Sequence, residues 1–477
     1  MRTRKMTCWR GLAGLFARMH RLPGLVRPHA PHQRVPQQLQ PHAASCYRTP
    51  CWTRPLVAAL IISSASVGCA PMHTQPTVEL VHTNSAWTLL RDGQPYQIRG
   101  AAGKDYLEEL VASGGNSIRT WDAVGIDELL DEAHRLGLTV TVGIWLEHER
   151  HGYDYDEPQI RARQLAKVRR CVRKYRDHPA VLMWALGNEV ELGGDLDKAL
   201  RAIEEAAAIA KQLDPHHPTM AVLAEIGEDK ARRLRQACPS IDVLGINSYG
   251  GAASVPERLR EQGWTEPYVL TEFGPLGHWE TGHTAWGAPF EPTSAEKFEM
   301  YTRSQRLGVE AEMPGRCLGS YAFLWGSKVE TTPTWFGMFL DTGERTPTVD
   351  AMQILWTGKP PENRAPLVHR LSIDLDGLTA EPGEVFNARA EFEDPEADEL
   401  HMQWVVRPEQ SDRKSGGDAE RTIPDLPGLI LDASSGSAKV RAPLEPGAYR
   451  LYFSVHDGHG GAGTANIPFL VKPPSVE

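Results

Sequence analysis

From residue 97 to about residue 357 the chain alternates between short apolar runs and longer segments with helical spacing. The apolar runs fall at 97–101, 116–120, 139–145, 181–187, 219–223, 241–247, 268–271 and 319–324. Runs this short, without polar alternation, predict strands buried on both faces. Helical periodicity between them is clearest over 126–136, Pro158–Tyr175, Leu196–Leu213 and 294–312. Eight strands separated by helices over roughly 260 residues fit an α/β fold of the (β/α)8 barrel kind, assigned to 97–357. An open doubly wound sheet calls for a Gly-rich phosphate turn after its first strand. The stretch Ile98-Arg99-Gly100-Ala101-Ala102-Gly103 is too weak a match to support one.

The flanks read differently. A lead-in covers 70–96, in which 86–97 predicts a hairpin turning at Asp92-Gly93. Residues 358–365 form a Pro-rich polar linker. Beyond it, Tyr449, Leu451, Phe453 and Val455 alternate with Arg450, Tyr452, Ser454 and His456. That period of two, among Gly/Asp turns, predicts a small antiparallel β-sandwich over 366–474. It resembles Ig or PKD modules, the accessory domains of secreted bacterial enzymes.

Charge is distributed unevenly. The formal net charge is −10, yet the first 68 residues hold ten Lys or Arg and no Asp or Glu, so the remainder carries −20. So acidic a body lacks the clustered cations that phosphate contacts need, which argues against nucleic-acid binding. Neutral polysaccharide is compatible with it. The apolar run 55–67 follows Arg54 and is too short to span a membrane, but it suits the core of a secretory signal. It ends in Ser66-Val67-Gly68-Cys69, which resembles a bacterial lipobox and implies lipidation of Cys69. The expectation is an exported cell-envelope lipoprotein, held to the membrane by its lipid alone; an ordinary signal peptide and secretion is the alternative. Residues 1–54 have no acidic residue and no amphipathic period, so no fold is expected there. They read as a disordered leader or an over-extended translation start. Cys171, Cys238 and Cys317 are too scattered for a disulfide framework or metal site and read as buried thiols.

The polar residues that close the apolar runs carry the chemistry. Glu189 ends Trp184-Ala185-Leu186-Gly187-Asn188-Glu189, and Glu272 ends Tyr268-Val269-Leu270-Thr271-Glu272. A lone carboxylate is costly at the end of a buried strand. Two of them on different strands suggest glycoside hydrolysis, which places two carboxyl groups astride one bond. Active sites of such barrels lie at the C-terminal strand ends. Those ends gather Arg119 and Trp121, Trp145 and His148, Asn188, Asn247 and Tyr249, and Trp325 as substrate-binding candidates. Indoles offer flat apolar faces to pyranose rings, while Arg and Tyr set the charge of a carboxylate. Trp279, Trp286 and Trp335 stand in loops, as sugar stackers or loop cores. Glu147-His148-Glu149-Arg150-His151 lacks the i, i+4 helical placement of a metal site and reads as a solvated loop.

The run His178-Pro179-Ala180-Val181-Leu182-Met183-Trp184-Ala185-Leu186-Gly187-Asn188-Glu189 resembles the strand-4 signature of glycoside hydrolase family 2. Asn116-Ser117-Ile118-Arg119-Thr120-Trp121 is similar to that family's strand 2, and Leu270-Thr271-Glu272-Phe273-Gly274 to its strand 7. The resemblance covers residues 86–357 and extends to the wider clan A of retaining (β/α)8 glycosidases. It implies Glu189 as general acid/base, Glu272 as nucleophile, Asn188 as the ligand of the sugar 2-hydroxyl and Trp325 as the platform beneath the reacting sugar. It implies no cofactor and no metal, and a monomer is expected.

Two departures limit it. Family 2 enzymes usually carry β-sandwich domains ahead of the barrel, and here only some 28 residues separate Cys69 from the first strand. Val190 follows Glu189, and the resulting Gly-Asn-Glu-Val resembles β-1,3-glucanase and glucanosyltransferase families of the clan. A β-glucan-like substrate is therefore favoured, with hydrolysis and transglycosylation both open. The rival from another class is an envelope carbohydrate-binding protein without catalysis, against which both carboxylates argue.

Overall fold

The protein is described by a computed structural model covering residues 77–473 apart from Ser85 and Glu228. The leader, the signal segment and Cys69 lie outside the described residues. Eight parallel strands close into a barrel: β1 (Ile98–Ala102), β2 (Ser117–Arg119), β3 (Thr139–Ile144), β4 (Val181–Leu186), β5 (Thr219–Ala224), β6 (Val243–Asn247), β7 (Tyr268–Phe273) and β8 (Cys317–Ala322). They pair in sequence order, and β8 returns to β1.

The apolar runs form these strands because both faces are buried. On β5, Met220 and Val222 join an inner cluster with Leu182, Val243 and Val269. Their neighbours Ala221 and Leu223 join an outer one with Val168, Ile203 and Leu234 of the surrounding helices. Successive side chains on a strand point oppositely, so an unbroken apolar run serves both layers. The inner layer is not wholly apolar, since the Tyr321 hydroxyl meets Ser117 at 2.9 Å and Thr141 at 2.6 Å.

The helices are α1 (Leu107–Ala112), α2 (Asp127–Arg135), α3 (Pro158–Tyr175), α4 (Leu196–Leu213), α5 (Lys230–Ala237), α6 (Val255–Glu261), α7 (Ser294–Ser304) and α8 (Pro347–Thr357). α3 and α4 have the ends their sequence periodicity predicts. Glu157 caps α3 ahead of its first-turn proline, and the Asp195 carboxylate accepts from Lys198 N at 3.0 Å on α4. The helix expected over 294–312 stops as an α-helix at Ser304, opens into a wider turn over Gln305–Val309 and ends in a 3-10 turn. Gly308 there packs so closely on the Ala252 carbonyl that an added Cβ would lie 2.5 Å from it.

The hairpin turns at Asp92-Gly93, both with positive φ, and a further strand, Val78–Thr83, pairs with Ala86–Arg91. It seals the N-terminal end of the barrel. Trp87 Nε1 donates to Thr265 O, Arg91 Nη2 to Pro179 O and Tyr96 Oη to Asn116 O, all residues just ahead of barrel strands.

After the barrel come β9 (Leu367–Ile373), β10 (Thr379–Ala380), β11 (Val385–Glu393), β12 (His401–Pro408), β13 (Ile430–Ser434), β14 (Ser437–Arg441), β15 (Gly447–His456) and β16 (Ala462–Val471). They form two four-stranded sheets, ordered β9-β11-β14-β13 and β10-β16-β15-β12. Pairing is antiparallel except between the short β10 and β16. Tyr449, Leu451, Phe453 and Val455 fill the space between the sheets. The opposite face of β15 is partly covered, because Arg450 is fully buried and donates to the Pro289 carbonyl of the barrel domain at 2.8 Å. The described residues form one compact unit.

Candidate active site

At the end of β4 the backbone turns sharply. Gly187 has φ +76° and Glu189 φ +51°, while Glu189 N donates to Val222 O on β5 at 2.9 Å. A Cβ on Gly187 would stand 2.3 Å from Val190 Cγ2, so only glycine fits. A glutamate in left-handed backbone is itself strained. The turn presents Asn188 and Glu189 to a cavity of about 570 Å³ at the barrel mouth.

Glu272 reaches the same cavity from β7 and is held by three donors. Its Oε1 accepts from Arg119 Nη1 and Trp121 Nε1, both at 2.9 Å, and its Oε2 from the Tyr249 hydroxyl at 2.8 Å. Arg119 is fully buried, and Nη2 also donates to Asn188 Oδ1 at 2.5 Å. Asn247 Nδ2 reaches Asn188 Oδ1 at 3.1 Å and Glu189 Oε1 at 2.9 Å, while Asn247 Oδ1 accepts from Thr271 Oγ1 at 2.8 Å. The two carboxyl groups are therefore joined by one relay through Arg119, Asn188 and Asn247. With both donors on Oδ1, the Asn188 amide NH2 is turned away from them.

The electrostatics separate the pair. Burial above all, and then the Glu272 charge, push the Glu189 carboxyl far up from the ordinary carboxylate range. Burial and the same Glu272 charge raise the Tyr249 phenol as well, so it remains a donor. Aromatic rings line much of the cavity: Trp121, Trp145, Tyr249, Trp279 and Phe323. No group of three or more His, Cys, Asp or Glu able to hold a metal ion occurs among the described residues.

Residues 117–286 match the family described as "Glycosyl hydrolases family 2, TIM barrel domain". Over those residues the barrel resembles a family 2 glycosyl hydrolase domain. A curated relative, "Probable mannan endo-1,4-beta-mannosidase C" of Aspergillus terreus (strain NIH 2624 / FGSC A1156), is 25% identical over 146 residues, covering 25% of this chain and 36% of that protein. The match thus spans about a third of that relative's length. Among solved structures, the β-D-glucuronidase of Dictyoglomus thermophilum is 18% identical, over 60% of this chain and 54% of that one, with a TM-score of 0.47. The β-glucuronidase of Faecalibacterium prausnitzii is 17% identical, over 59% and 52%, with a TM-score of 0.48. At those TM-scores the likenesses carry no argument about substrate.

The geometry of this family 2-like barrel sorts the residues singled out in the sequence. Glu189, Glu272, Asn188, Trp121, Trp145 and Tyr249 border the cavity. Arg119 holds the Glu272 carboxylate, as an Arg setting its charge should, but it lies beneath the cavity and also grips Asn188. Asn247, expected to bind substrate, lies there too and holds Asn188 and Glu189. His148 is corrected likewise. It is fully buried, its ring stacked between Trp145 at 4.8 Å and His151 at 5.3 Å, and Nδ1 accepts from Arg150 Nε at 3.0 Å. Burial, followed by the Arg150 and His151 charges, lowers its pKa to about 4, so the ring is neutral. Trp325 borders the cavity but is only 1% exposed; its indole packs on Phe339 and Trp356 and donates to Tyr106 O. It is a wall, not an open platform. Trp279, 54% exposed, has a free face for a sugar ring, whereas Trp335 is core and donates to Leu276 O. The three described cysteines are free and buried.

Sequence reasoning missed Lys328 and Glu330, which follow β8, and Gly416, Gly417 and Asp418, which reach the cavity from the sandwich. The first two could have been found as charged residues shortly after the Trp325 strand end. The last three carried only a turn signal.

Proposed function

We propose that this protein is a retaining glycosidase of a β-linked saccharide, acting by double displacement. The observation that carries the reading is the division of labour between the carboxyl groups. Glu272 is clasped by Arg119, Trp121 and Tyr249, and Glu189 faces its charge with raised proton affinity. Two donors occupy Glu272 Oε1 and one occupies Oε2, so Oε2 is the oxygen that attacks the anomeric carbon. As the glycosidic C–O bond breaks, Glu189 gives its proton to the departing oxygen and a glycosyl ester forms on Glu272. The Asn188 NH2 donates to the sugar 2-hydroxyl. Glu189, now ionised, then takes a proton from water, whose oxygen displaces Glu272. A sugar hydroxyl in place of that water gives transglycosylation.

A β-glucan-type chain is the favoured substrate, on the Gly187-Asn188-Glu189-Val190 motif. The mannosidase name of the curated relative supports β-mannan as the second choice. A screen of β-linked gluco- and manno-oligosaccharides, with products followed by mass spectrometry and the first-formed anomer by NMR, tests the assignment. Retention of configuration is expected, and E272Q should abolish turnover while preserving the fold. An inverted product removes the double displacement, and an active E272Q removes the nucleophile. Export as a Cys69-lipidated protein remains part of the proposal. It predicts fatty-acid labelling in a bacterial host that C69A loses; equal labelling of both proteins would contradict it.

A further inference from the structure

The loop between β12 and β13 belongs to the sandwich, yet Gly416, Gly417 and Asp418 line the catalytic cavity. It is tied at two places on the rim. On the β3 side, Arg150 Nη1 donates to Ser415 O at 2.8 Å and to Asp418 Oδ2 at 3.2 Å, and His151 Nε2 lies 3.1 Å from that same Oδ2. On the β8 side, Lys328 Nζ donates to Gly417 O at 2.7 Å and Thr331 N to Glu420 Oε2 at 2.7 Å. β1 and β2 stand between those strands, so the loop bridges well-separated parts of the mouth. Its chain path relies on two successive glycines, Gly416 at φ +62° and Gly417 at φ +74°. A Cβ on the first would meet the Arg150 guanidinium at 2.7 Å, and one on the second Lys328 Nζ at 3.0 Å. The sandwich is seated by further buried bonds: Arg450 to Pro289 O, and Val368 N and Thr464 N to Ser294 Oγ.

Anchoring leaves specific polar capacity facing the cavity. Both Asp418 contacts go to Oδ2, so Oδ1 remains an acceptor. Lys328 Nζ has three N–H groups and uses two, on Gly417 O and on Glu330 Oε2 at 2.8 Å. An acceptor and a donor set among aromatic faces are what hydroxyl-bearing rings require. No hydrogen bond among the described residues joins either side chain to Glu189, Glu272 or the groups clasping them. What they hold is therefore a part of the substrate other than the reacting bond.

We infer that Lys328 and Asp418, linked through the Gly417 backbone, form a saccharide subsite beside the catalytic pair, so that the C-terminal sandwich sets selectivity for substrate length. The inference rests on the proposed glycosidase reading. It assigns the sandwich a place in the active site, in contrast to a detached binding module.

Kinetics on the full-length chain test it, comparing a β-linked oligosaccharide turned over in the screen with the aryl glycoside of its terminal sugar. D418A and K328A should each lower the oligosaccharide-to-aryl ratio of kcat/KM about tenfold, chiefly through KM, as for loss of one hydrogen bond to a charged group. D418N, which keeps an acceptor oxygen, should restore part of it. Should either alanine variant fold poorly, hydrogen exchange on the wild type gives a second reading, with amides over 410–421 slowed by saturating oligosaccharide. Unchanged ratios in folded variants, or unchanged exchange, overturn the subsite and leave the catalytic assignment standing. Wild-type protein inactive on every β-linked saccharide removes the proposed function, and this inference with it.

Discussion

Removing the charge of Glu272 should release the proton that Glu189 holds. Burial and the Glu272 charge act together on Glu189, so E272Q removes one cause and leaves the other. For carboxyl groups about 5–5.5 Å apart, the spacing of a retaining pair, an effective dielectric of about 20 gives about 3 kcal/mol of repulsion. That amounts to a little over two pKa units. At about 8 Å, an inverting spacing, the same arithmetic gives about 2 kcal/mol, or about 1.5 units. Arg119, freed of its carboxylate, moves Glu189 in the same direction. The amide oxygen that E272Q introduces still accepts from Arg119 and Trp121, which preserves the clasp. Carbon NMR of selectively labelled glutamate, titrated in both proteins and assigned with E189Q, measures the shift. A fall of about two units is expected. A change below half a unit would refute the electrostatic coupling, and with it the idea that nucleophile and acid share one field.

Further outcomes follow from Glu189 and from two other sites in the fold. Glu189 is pushed up to about 8, so kcat/KM should fall as pH rises through that value. The folded state then holds a proton that the unfolded chain releases near pH 4.3, so this group makes stability decline between about pH 4.3 and 8; E189Q should flatten that decline in thermal melts, and an equally steep one would count against the shift. Arg450 is fully buried with Glu409, Asn466 and Pro289 O as partners, so R450M should destabilise the chain by about 3–5 kcal/mol in denaturant melts. R450M/E409Q should recover part of that loss, and additive effects would deny the coupling. G187A forces a Cβ against Val190 and should lower kcat more than tenfold by misplacing Asn188 and Glu189, with the melting temperature changing far less than for R450M. Normal kcat would show that the turn tolerates a side chain.

The barrel and its two glutamates were legible because their signals are local. A strand buried on both faces needs an unbroken apolar run, as Val181–Leu186 shows, and a carboxylate closing such a run stands out against it. Period and capping likewise set the ends of α3 and α4. Direction at the rim was not local. Whether an aromatic or histidine after a strand faces the cavity depends on how loops from other strands cover it. Neighbours remote in sequence therefore decided that Trp325 packs on Phe339 and Trp356. Asn247 was visible as a strand-end residue, but its bonds to Asn188 and Glu189, and that of Arg119 to Asn188, appear only once β2, β4 and β6 meet.

By itself the sequence determined an acidic body, a closed parallel barrel, a sandwich after it, and carboxyl groups on the fourth and seventh strands. Burial pattern and charge cost act residue by residue and can be read one run at a time. Only the tertiary structure decided that Trp121 joins Arg119 and Tyr249 on Glu272, that Asn188 and Asn247 link the two carboxyl groups, and that a sandwich loop walls the cavity. Arg150 and Ser415 are 265 residues apart, and a contact between such positions exists only after both domains have packed.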